Sequence, residues 1–85
     1  MAQELLTSVE EYGEICLKKY KRLYKDMNVL DREINENMQT VESTVRMMIT
    51  VAAKDKGDAP ELVQNKDFQQ NVMRHFVKLV KEKTQ

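Results

Sequence analysis

The fold of this chain is decided by residues 5–52, which read LLTSVEEYGEICLKKYKRLYKDMNVLDREINENMQTVESTVRMMITVA. Apolar or aromatic residues recur along this stretch with a mean spacing of 3.6 residues, since 13 steps cover the 47 residues from Leu5 to Ala52. This spacing is the period of an α-helix that buries one face. The members of this apolar stripe are Leu5, Val9, Tyr12, Cys16, Tyr20, Leu23, Met27, Leu30, Ile34, Met38, Val41, Val45, Met48 and Ala52.

The residues that can end a helix set the bounds of this element. The chain has no proline before Pro60, and Gly13 is the only glycine before Gly57. The pattern therefore predicts one continuous helix over residues 3–54. Gly57 readily adopts the left-handed conformation that caps a helix, and a proline cannot continue a helix interior. A loop is expected over residues 55–60.

A second, shorter apolar stripe follows the loop and predicts a helix over residues 61–83. Its members are Phe68, Val72, Phe76, Leu79 and Val80. A short connection makes consecutive helices antiparallel neighbours. The sequence therefore predicts an all-α fold, residues 1–85 forming one module in which a long N-terminal helix and a shorter C-terminal helix make an antiparallel helical hairpin.

The shorter helix is long enough to cover only the second half of the longer one. The N-terminal half of the apolar stripe is then left without a surface of its own chain to pack on. We therefore expect the hairpin to pack on a partner coiled coil or to self-associate. The residues predicted to contact the partner are Leu5, Val9, Tyr12, Cys16, Lys18, Tyr20, Lys21, Arg22, Leu23, Met27, Leu30 and Ile34.

The composition argues against several classes of function. The chain has 14 basic and 14 acidic residues and a formal net charge of zero, so it lacks the basic excess typical of nucleic-acid-binding proteins. It has one cysteine and one histidine, too few for a disulfide framework or a four-ligand zinc site. No uncharged run is long enough to span a membrane. We expect a soluble intracellular protein without a metal, a cofactor or a membrane partner.

Residues 18–25, KKYKRLYK, are the most biased segment, with five basic residues in eight. On a helix, Lys18, Lys21, Arg22 and Lys25 share one face. The simplest interpretation is a solvated face that flanks the apolar stripe. An acidic partner helix is the next interpretation, and the phosphates of a nucleic acid are the last.

Cys16 and His75 are the residues whose side chains are most often reactive in proteins. Cys16 lies on the apolar stripe, where a cysteine usually acts as a small buried hydrophobe. His75 has no histidine or cysteine at helical spacing, so a structural role is expected for it. The sequence also contains no glycine-rich phosphate loop and no recognisable nucleophile and base pair. It therefore predicts a protein that is not an enzyme.

The run Leu30-Asp31-Arg32-Glu33-Ile34-Asn35, followed by Val41-Glu42-Ser43-Thr44-Val45, resembles the N-terminal helical arm of the SUMO ligase subunit of the SMC five-six DNA-repair complex. In that family a loop and a shorter helix follow, and the start of the helix is similar to Asn65-Lys66-Asp67-Phe68. The resemblance covers roughly residues 20–83 in the order of the elements.

This resemblance implies a chain that docks along the coiled-coil arm of an SMC protein in the nucleus and supports SUMO-linked DNA repair. The ligase domain of the family is a zinc-binding RING-like domain that requires several cysteines and a histidine. Cys16 and His75 cannot supply it, so the resemblance implies either a fragment of such a protein or a short relative without ligase activity. A different class of function also stays open, a homodimeric four-helix bundle that serves as a structural or scaffold subunit.

Overall fold

The computed structural model describes residues 2–58 and 60–84, with side chains from residue 8 onward. In these residues the chain forms helices and no strand, which confirms the predicted all-α class. The helices are α1 (Ala2–Leu23), α2 (Met27–Glu36), α3 (Met38–Lys56), α4 (Pro60–Gln64) and α5 (Lys66–Thr84). None of them combines the length and the apolar character that a membrane crossing needs.

Helices α1 and α5 pack against each other and run in the same direction. The ring of Tyr12, in the middle of α1, and the ring of Phe68, near the start of α5, meet edge to face with centroids 5.5 Å apart. Two turns later along both helices, the Tyr20 and Phe76 ring centroids are 5.2 Å apart. The parallel direction brings the C-terminal ends of both helices to the same end of the molecule.

Helix α3 is the third member of the bundle and runs in the opposite direction. Its last residue, Lys56, pairs with Glu11 in the first half of α1, whereas Thr44 lies near Tyr20 in the second half. The predicted hairpin of two helices is not confirmed, because α5 packs chiefly on α1 and α3 packs on both. Helix α2 connects α1 to α3 at one end, and α4 precedes α5 at the other.

The prediction of one continuous helix over residues 3–54 is wrong. The chain passes through Gly13 without a break, but the helix stops after Leu23. Asp26 has an extended backbone (φ −109°, ψ 117°), and its side chain accepts a hydrogen bond from the backbone N–H of Asn28 at 2.9 Å. This is an N-cap interaction, which makes a new helix start favourable without a glycine or a proline.

The second break lies at Asn37, whose backbone leaves the helical region (φ −131°, ψ 50°). Its N–H still bonds the Glu33 carbonyl at 2.7 Å, and its carbonyl accepts from Val41 N–H at 3.2 Å, so hydrogen bonding continues on both sides of the kink. Asparagine competes for backbone groups and favours such positions. Because of these two breaks the longest dimension of the molecule is 34 Å, whereas the predicted helix would measure about 75 Å.

The predicted stop at Gly57 is confirmed. Gly57 adopts the left-handed conformation (φ 76°), and its N–H bonds the Lys54 carbonyl while that of Asp58 bonds the Ala53 carbonyl. The helix predicted over residues 61–83 is divided in two. Asn65 accepts a hydrogen bond from Phe68 N–H at 3.1 Å and so starts α5.

One continuous core forms, and all five helices contribute to it. The expectation that the N-terminal half of the apolar stripe has nothing of its own chain to pack on is therefore wrong, since α1 occupies the space between α3 and α5. The buried residues are Val9, Tyr12, Cys16, Leu17, Tyr20, Leu30, Ile34, Val41, Val45, Ile49, Ala52, Ala53, Val63, Phe68, Val72, Met73, Phe76 and Val80.

Candidate docking surface at the basic end of the bundle

The predicted partner-binding residues separate into buried and exposed groups. The buried group lies in the core of this chain and consists of Val9, Tyr12, Cys16, Tyr20, Leu30 and Ile34. Met27 is half-buried against the same core, and the side chain of Leu5 lies outside the described residues. The exposed group consists of Lys18, Lys21, Arg22 and Leu23. In this conformation the exposed group is accessible to a partner, whereas the buried group is not.

The exposed basic residues lie at the end of the bundle where α1 and α5 both finish. Lys18, Lys21 and Arg22 face away from the core, and Lys25 follows in the connection to α2. The parallel packing of α1 and α5 adds Lys83, which the sequence alone did not place here. The basic end is defined as Lys18, Lys21, Arg22, Leu23, Lys25 and Lys83.

Like charges approach each other closely at the basic end. Lys83 is the main cause that lowers the pKa of Lys21 below its ordinary value, and Lys18 adds to the effect. Among the described side chains, the ion pairs join Lys56 to Glu11 and Asp58, and Lys81 to Asp31. No residue of the basic end takes part in them. Its positive charge is therefore not neutralised within the described part of the chain.

An apolar side chain stands among these charges. Leu23 is 67% exposed, although it belongs to the apolar stripe. It is exposed because α1 ends at this residue and the chain turns away into α2. Beneath it the ring of Tyr24 stacks on Tyr20, with centroids 5.9 Å apart, and Tyr20 in turn contacts Phe76. Aromatic packing thus supports the backbone that carries the basic end.

The opposite end of the bundle has a different electrostatic character. The buried Tyr12 donates its hydroxyl hydrogen to Asp58 at 2.5 Å. Lys56 lies 2.6 Å from Glu11, 3.5 Å from Asp58 and 4.6 Å from the centre of the Tyr12 ring. Burial, with Asp58 beside it, raises the pKa of Tyr12 far above its ordinary value, and the Tyr12 hydrogen bond lowers the pKa of Asp58. The paired end is defined as Glu11, Tyr12, Lys56 and Asp58.

Cys16 and His75 both pack against other parts of the chain. Cys16 is fully buried, and burial raises the pKa of its thiol to about 12. The thiol is therefore protonated and unreactive at neutral pH. His75 packs on α1, where a Cβ atom placed on Gly13 would lie 2.6 Å from the His75 ring. Among the described residues, no group of three or more histidine, cysteine, aspartate or glutamate side chains is placed to hold a metal.

The cavities of the described surface are shallow clefts between helices. One of them, about 360 Å³, lies at the turn between α3 and α4 and is lined by Lys54, Asp58 and Val63 among others. A cleft of about 220 Å³ between α3 and α5 has Glu42, Arg46 and several amide side chains on its walls. The walls of these clefts supply charged and hydrogen-bonding groups.

Comparison of the chain with known protein families, with curated proteins and with solved structures gave no match. The basic end must therefore be interpreted from its own charge, exposure and geometry. Sequence reasoning found four of its members as partner-binding residues and Lys25 as part of the same basic face. It missed Lys83 because only the packing of α5 on α1 brings that side chain to Lys21.

Proposed function

We propose that this chain is a non-enzymatic helical docking module that binds an acidic segment of a coiled-coil protein through its basic end. The observation that carries the proposal is a cluster of unneutralised basic side chains around an exposed leucine, in a chain whose formal net charge is zero. The role proposed is one of binding, because the basic end offers exposed positive charge and an apolar contact.

The chemistry of the basic end defines the partner. Five positive side chains favour a carboxylate-rich surface, because complementary charge steers and orients association. Leu23 adds an apolar contact that the phosphate backbone of a nucleic acid would not use. A coiled coil offers both features, since its apolar seam is flanked by positions that often hold glutamate. Leu23 is then directed to the seam, and the lysines to the flanking carboxylates.

The family resemblance supports the same kind of partner. It implies docking on the coiled-coil arm of an SMC protein and a role in SUMO-linked DNA repair in the nucleus. The surface used differs from the one expected from the sequence, because most of the apolar stripe is buried in this chain's own core. Docking through the outer face of α1 leaves that core undisturbed.

A homodimer that buries two apolar stripes face to face is no longer favoured, because the stripe is largely buried within each chain. Among the described members of the stripe, only Leu23 and Met38 are exposed, at 67% and 41%. Two such side chains leave little of the stripe itself for an interface between preformed bundles.

The test is isothermal titration calorimetry of the purified chain against a purified SMC coiled-coil arm fragment, at low and at high salt. The triple variant K18E, K21E, R22E is expected to abolish binding, and Leu23→Ser to weaken it about tenfold. The matched control is R46E, K54E, K66E, which makes the same charge change at exposed positions of α3 and α5. The control should bind as the parent does.

Equal losses in both triple variants would contradict the proposal, because they would show a general charge effect. Titration with a short DNA duplex separates the nucleic-acid interpretation. In that case the chain would bind DNA with a steep salt dependence, the variant K18E, K21E, R22E would not bind DNA, and the arm fragment would not be bound. This result would assign the basic end to phosphate recognition. Circular dichroism of each variant confirms that the bundle remains folded.

A further inference from the structure

The connection between α1 and α2 has the properties of a hinge. It consists of Tyr24, Lys25 and Asp26, and contains neither glycine nor proline. Within the described residues, the backbone N–H groups of Lys25, Asp26 and Met27 have no backbone acceptor. A straight helix would give each of them the carbonyl four residues earlier. The break is held locally by the Asp26 N-cap.

The apolar stripe continues across this hinge without a change of period. Tyr20, Leu23, Met27, Leu30 and Ile34 follow one another at steps of three and four residues. On a straight helix all five would lie on one face. In the folded chain Leu23 is the one exposed member of this set, and it lies directly before the hinge. The sequence therefore encodes a straight helix as well as a broken one.

We propose that α1 is an exchangeable arm. Straightening of the hinge lets α1 leave its own bundle and occupy the same place in a second copy of this chain, which gives a domain-swapped dimer. Short connections between elements that can continue into one another favour such exchange.

The occupant is a second copy because the space that α1 leaves is shaped for α1 itself. The close approach of His75 requires a glycine, which α1 supplies as Gly13. Asp58 accepts the Tyr12 hydroxyl in the loop that follows α3. Exchange re-forms all of these contacts between chains instead of within one. The free energy of the core is therefore the same in both forms. The hinge then determines the equilibrium between the monomer and the exchanged dimer.

Four changes accompany the exchange. Two of them favour the dimer and two favour the monomer. In the exchanged form each straight helix regains hydrogen bonds at Lys25, Asp26 and Met27, and Leu23 is covered where the helices of the two copies cross. Against this, the Asp26 cap is lost and the basic ends of both copies approach. Salt screens that repulsion, so the dimer fraction should rise with ionic strength. Exchange requires no docking partner and covers Leu23 with the second copy.

The first experiment measures whether a dimer forms and whether it is exchanged. Equal amounts of isotope-labelled and unlabelled chain are refolded together at a concentration on the order of 1 mM and separated by size-exclusion chromatography with light scattering. Each fraction is treated with a carbodiimide, which couples Lys56 to Glu11 because their charged groups lie 2.6 Å apart. Mass spectrometry then identifies the linked peptides.

The expected result is a dimer fraction in which the Glu11–Lys56 link joins labelled to unlabelled chains, and a monomer fraction in which it does not. Links confined to single chains in the dimer fraction would overturn the proposal, since they would show two intact bundles side by side. The absence of any dimer after refolding at this concentration would also overturn it.

The second experiment changes the hinge. Met27→Pro fits the broken form, because residue 27 is the first residue of α2 and Asp26 has the extended backbone that precedes a proline. It excludes the straight form, so the dimer should disappear. Met27→Ala removes the same side chain without that restriction and should keep the dimer. Equal dimerisation by these two variants would contradict the hinge.

A third variant acts in the opposite direction and does not depend on whether Met27→Pro folds. Asp26→Ala removes the cap that holds the break and places a strong helix former in the hinge. The dimer association constant should rise roughly tenfold or more, since two caps are lost per dimer. An unchanged or smaller constant would overturn the proposal.

Discussion

The middle of α1 and its C-terminal end differ in how their charges are used. At the paired end, Lys56 joins Glu11 and Asp58, and Asp58 also accepts the hydroxyl of the buried Tyr12. At the basic end, positive side chains of α1 and α5 lie together without an acidic partner among the described residues. The charges in the middle of α1 thus form ion pairs within the fold, whereas those at its C-terminal end remain exposed.

The difference follows from the direction of the helices. Because α3 runs opposite to α1, its C-terminal residues and the following loop bring Lys56 and Asp58 to the first half of α1. Because α5 runs parallel to α1, it brings Lys83 to Lys21. Helix direction thus decides which charges form ion pairs and which lie together at the basic end.

The largest expected difference in stability is between truncation of a side chain at the paired end and truncation of one at the basic end. Tyr12→Ala removes a fully buried ring at the paired end and should lower the free energy of unfolding by about 3–5 kcal/mol. Leu23→Ala at the basic end should change it by less than about 0.5 kcal/mol, because Leu23 is exposed. Urea denaturation followed by circular dichroism measures both values. Similar losses in the two variants would contradict the comparison.

The next prediction concerns the close approach of α1 and α5. Gly13→Ala places a methyl group where the His75 ring lies, which costs about 1–3 kcal/mol as overpacking and is offset in part by about 1 kcal/mol of helix propensity. A net loss of stability is expected. In a His75→Ala background the same substitution should become neutral or stabilising. An equal loss in both backgrounds would show that the ring is not the cause.

A smaller effect is expected from the hydroxyl of Tyr12. Since the pKa of Asp58 is lowered in the folded protein, mainly by the Tyr12 hydrogen bond, its carboxylate stabilises the fold above the unfolded pKa, which is about 3.9. This contribution is lost as the pH falls through the lowered folded pKa. Tyr12→Phe should therefore reduce stability at neutral pH and flatten the decline on the acid side.

The control for the hydroxyl is Tyr24→Phe, because Tyr24 contributes to the core through its ring. Its unfolding midpoint should depend on pH as that of the parent does. A decline on the acid side that is as steep in Tyr12→Phe as in the parent would assign the pH dependence to other carboxylates.

The smallest effect is expected from relieving repulsion at the basic end. Lys21→Gln removes the charge that Lys83 opposes, so the melting temperature should rise slightly at low salt, and the difference should vanish at high salt. Lys54→Gln, at an exposed position of α3, serves as the control and should show no such rise. A lower melting temperature for Lys21→Gln would mean that this lysine has a stabilising partner.

The sequence allowed the buried face to be predicted, but not the surface that covers it. Val9, Tyr12 and Cys16 were placed on one apolar stripe, and all three are buried. Periodicity identifies a face that must be covered, whereas the identity of the covering element depends on where the chain turns. The turns at Asp26 and Asn37 leave the period intact, so periodicity alone gave no sign of them.

The local signals at those turns were present but weak. Asp26 and Asn37 belong to the residue types that favour helix starts and kinks because their side chains compete for backbone groups. Many such residues also occur inside helices, so neither marks a break by itself. Gly57 and Pro60 were recognised because they restrict the backbone directly.

The candidate site could be predicted in part for the same reason. Lys18, Lys21 and Arg22 are close in sequence, and helical spacing is sufficient to place them together. Lys83 and the pairing of Tyr12 with Asp58, 46 residues apart, depend on tertiary packing. Contacts of that kind follow from the direction of the helices, which the prediction of a two-helix hairpin did not contain.

The most direct test of this account is hydrogen exchange of the backbone amides in the isolated chain, at a concentration where it is monomeric. Because α1 is packed between α3 and α5, the amides of residues 12–20 should be protected to the same extent as those of residues 68–80. Fast exchange of residues 12–20 beside a protected α3 and α5 would contradict it, since α1 would then lack a partner within its own chain.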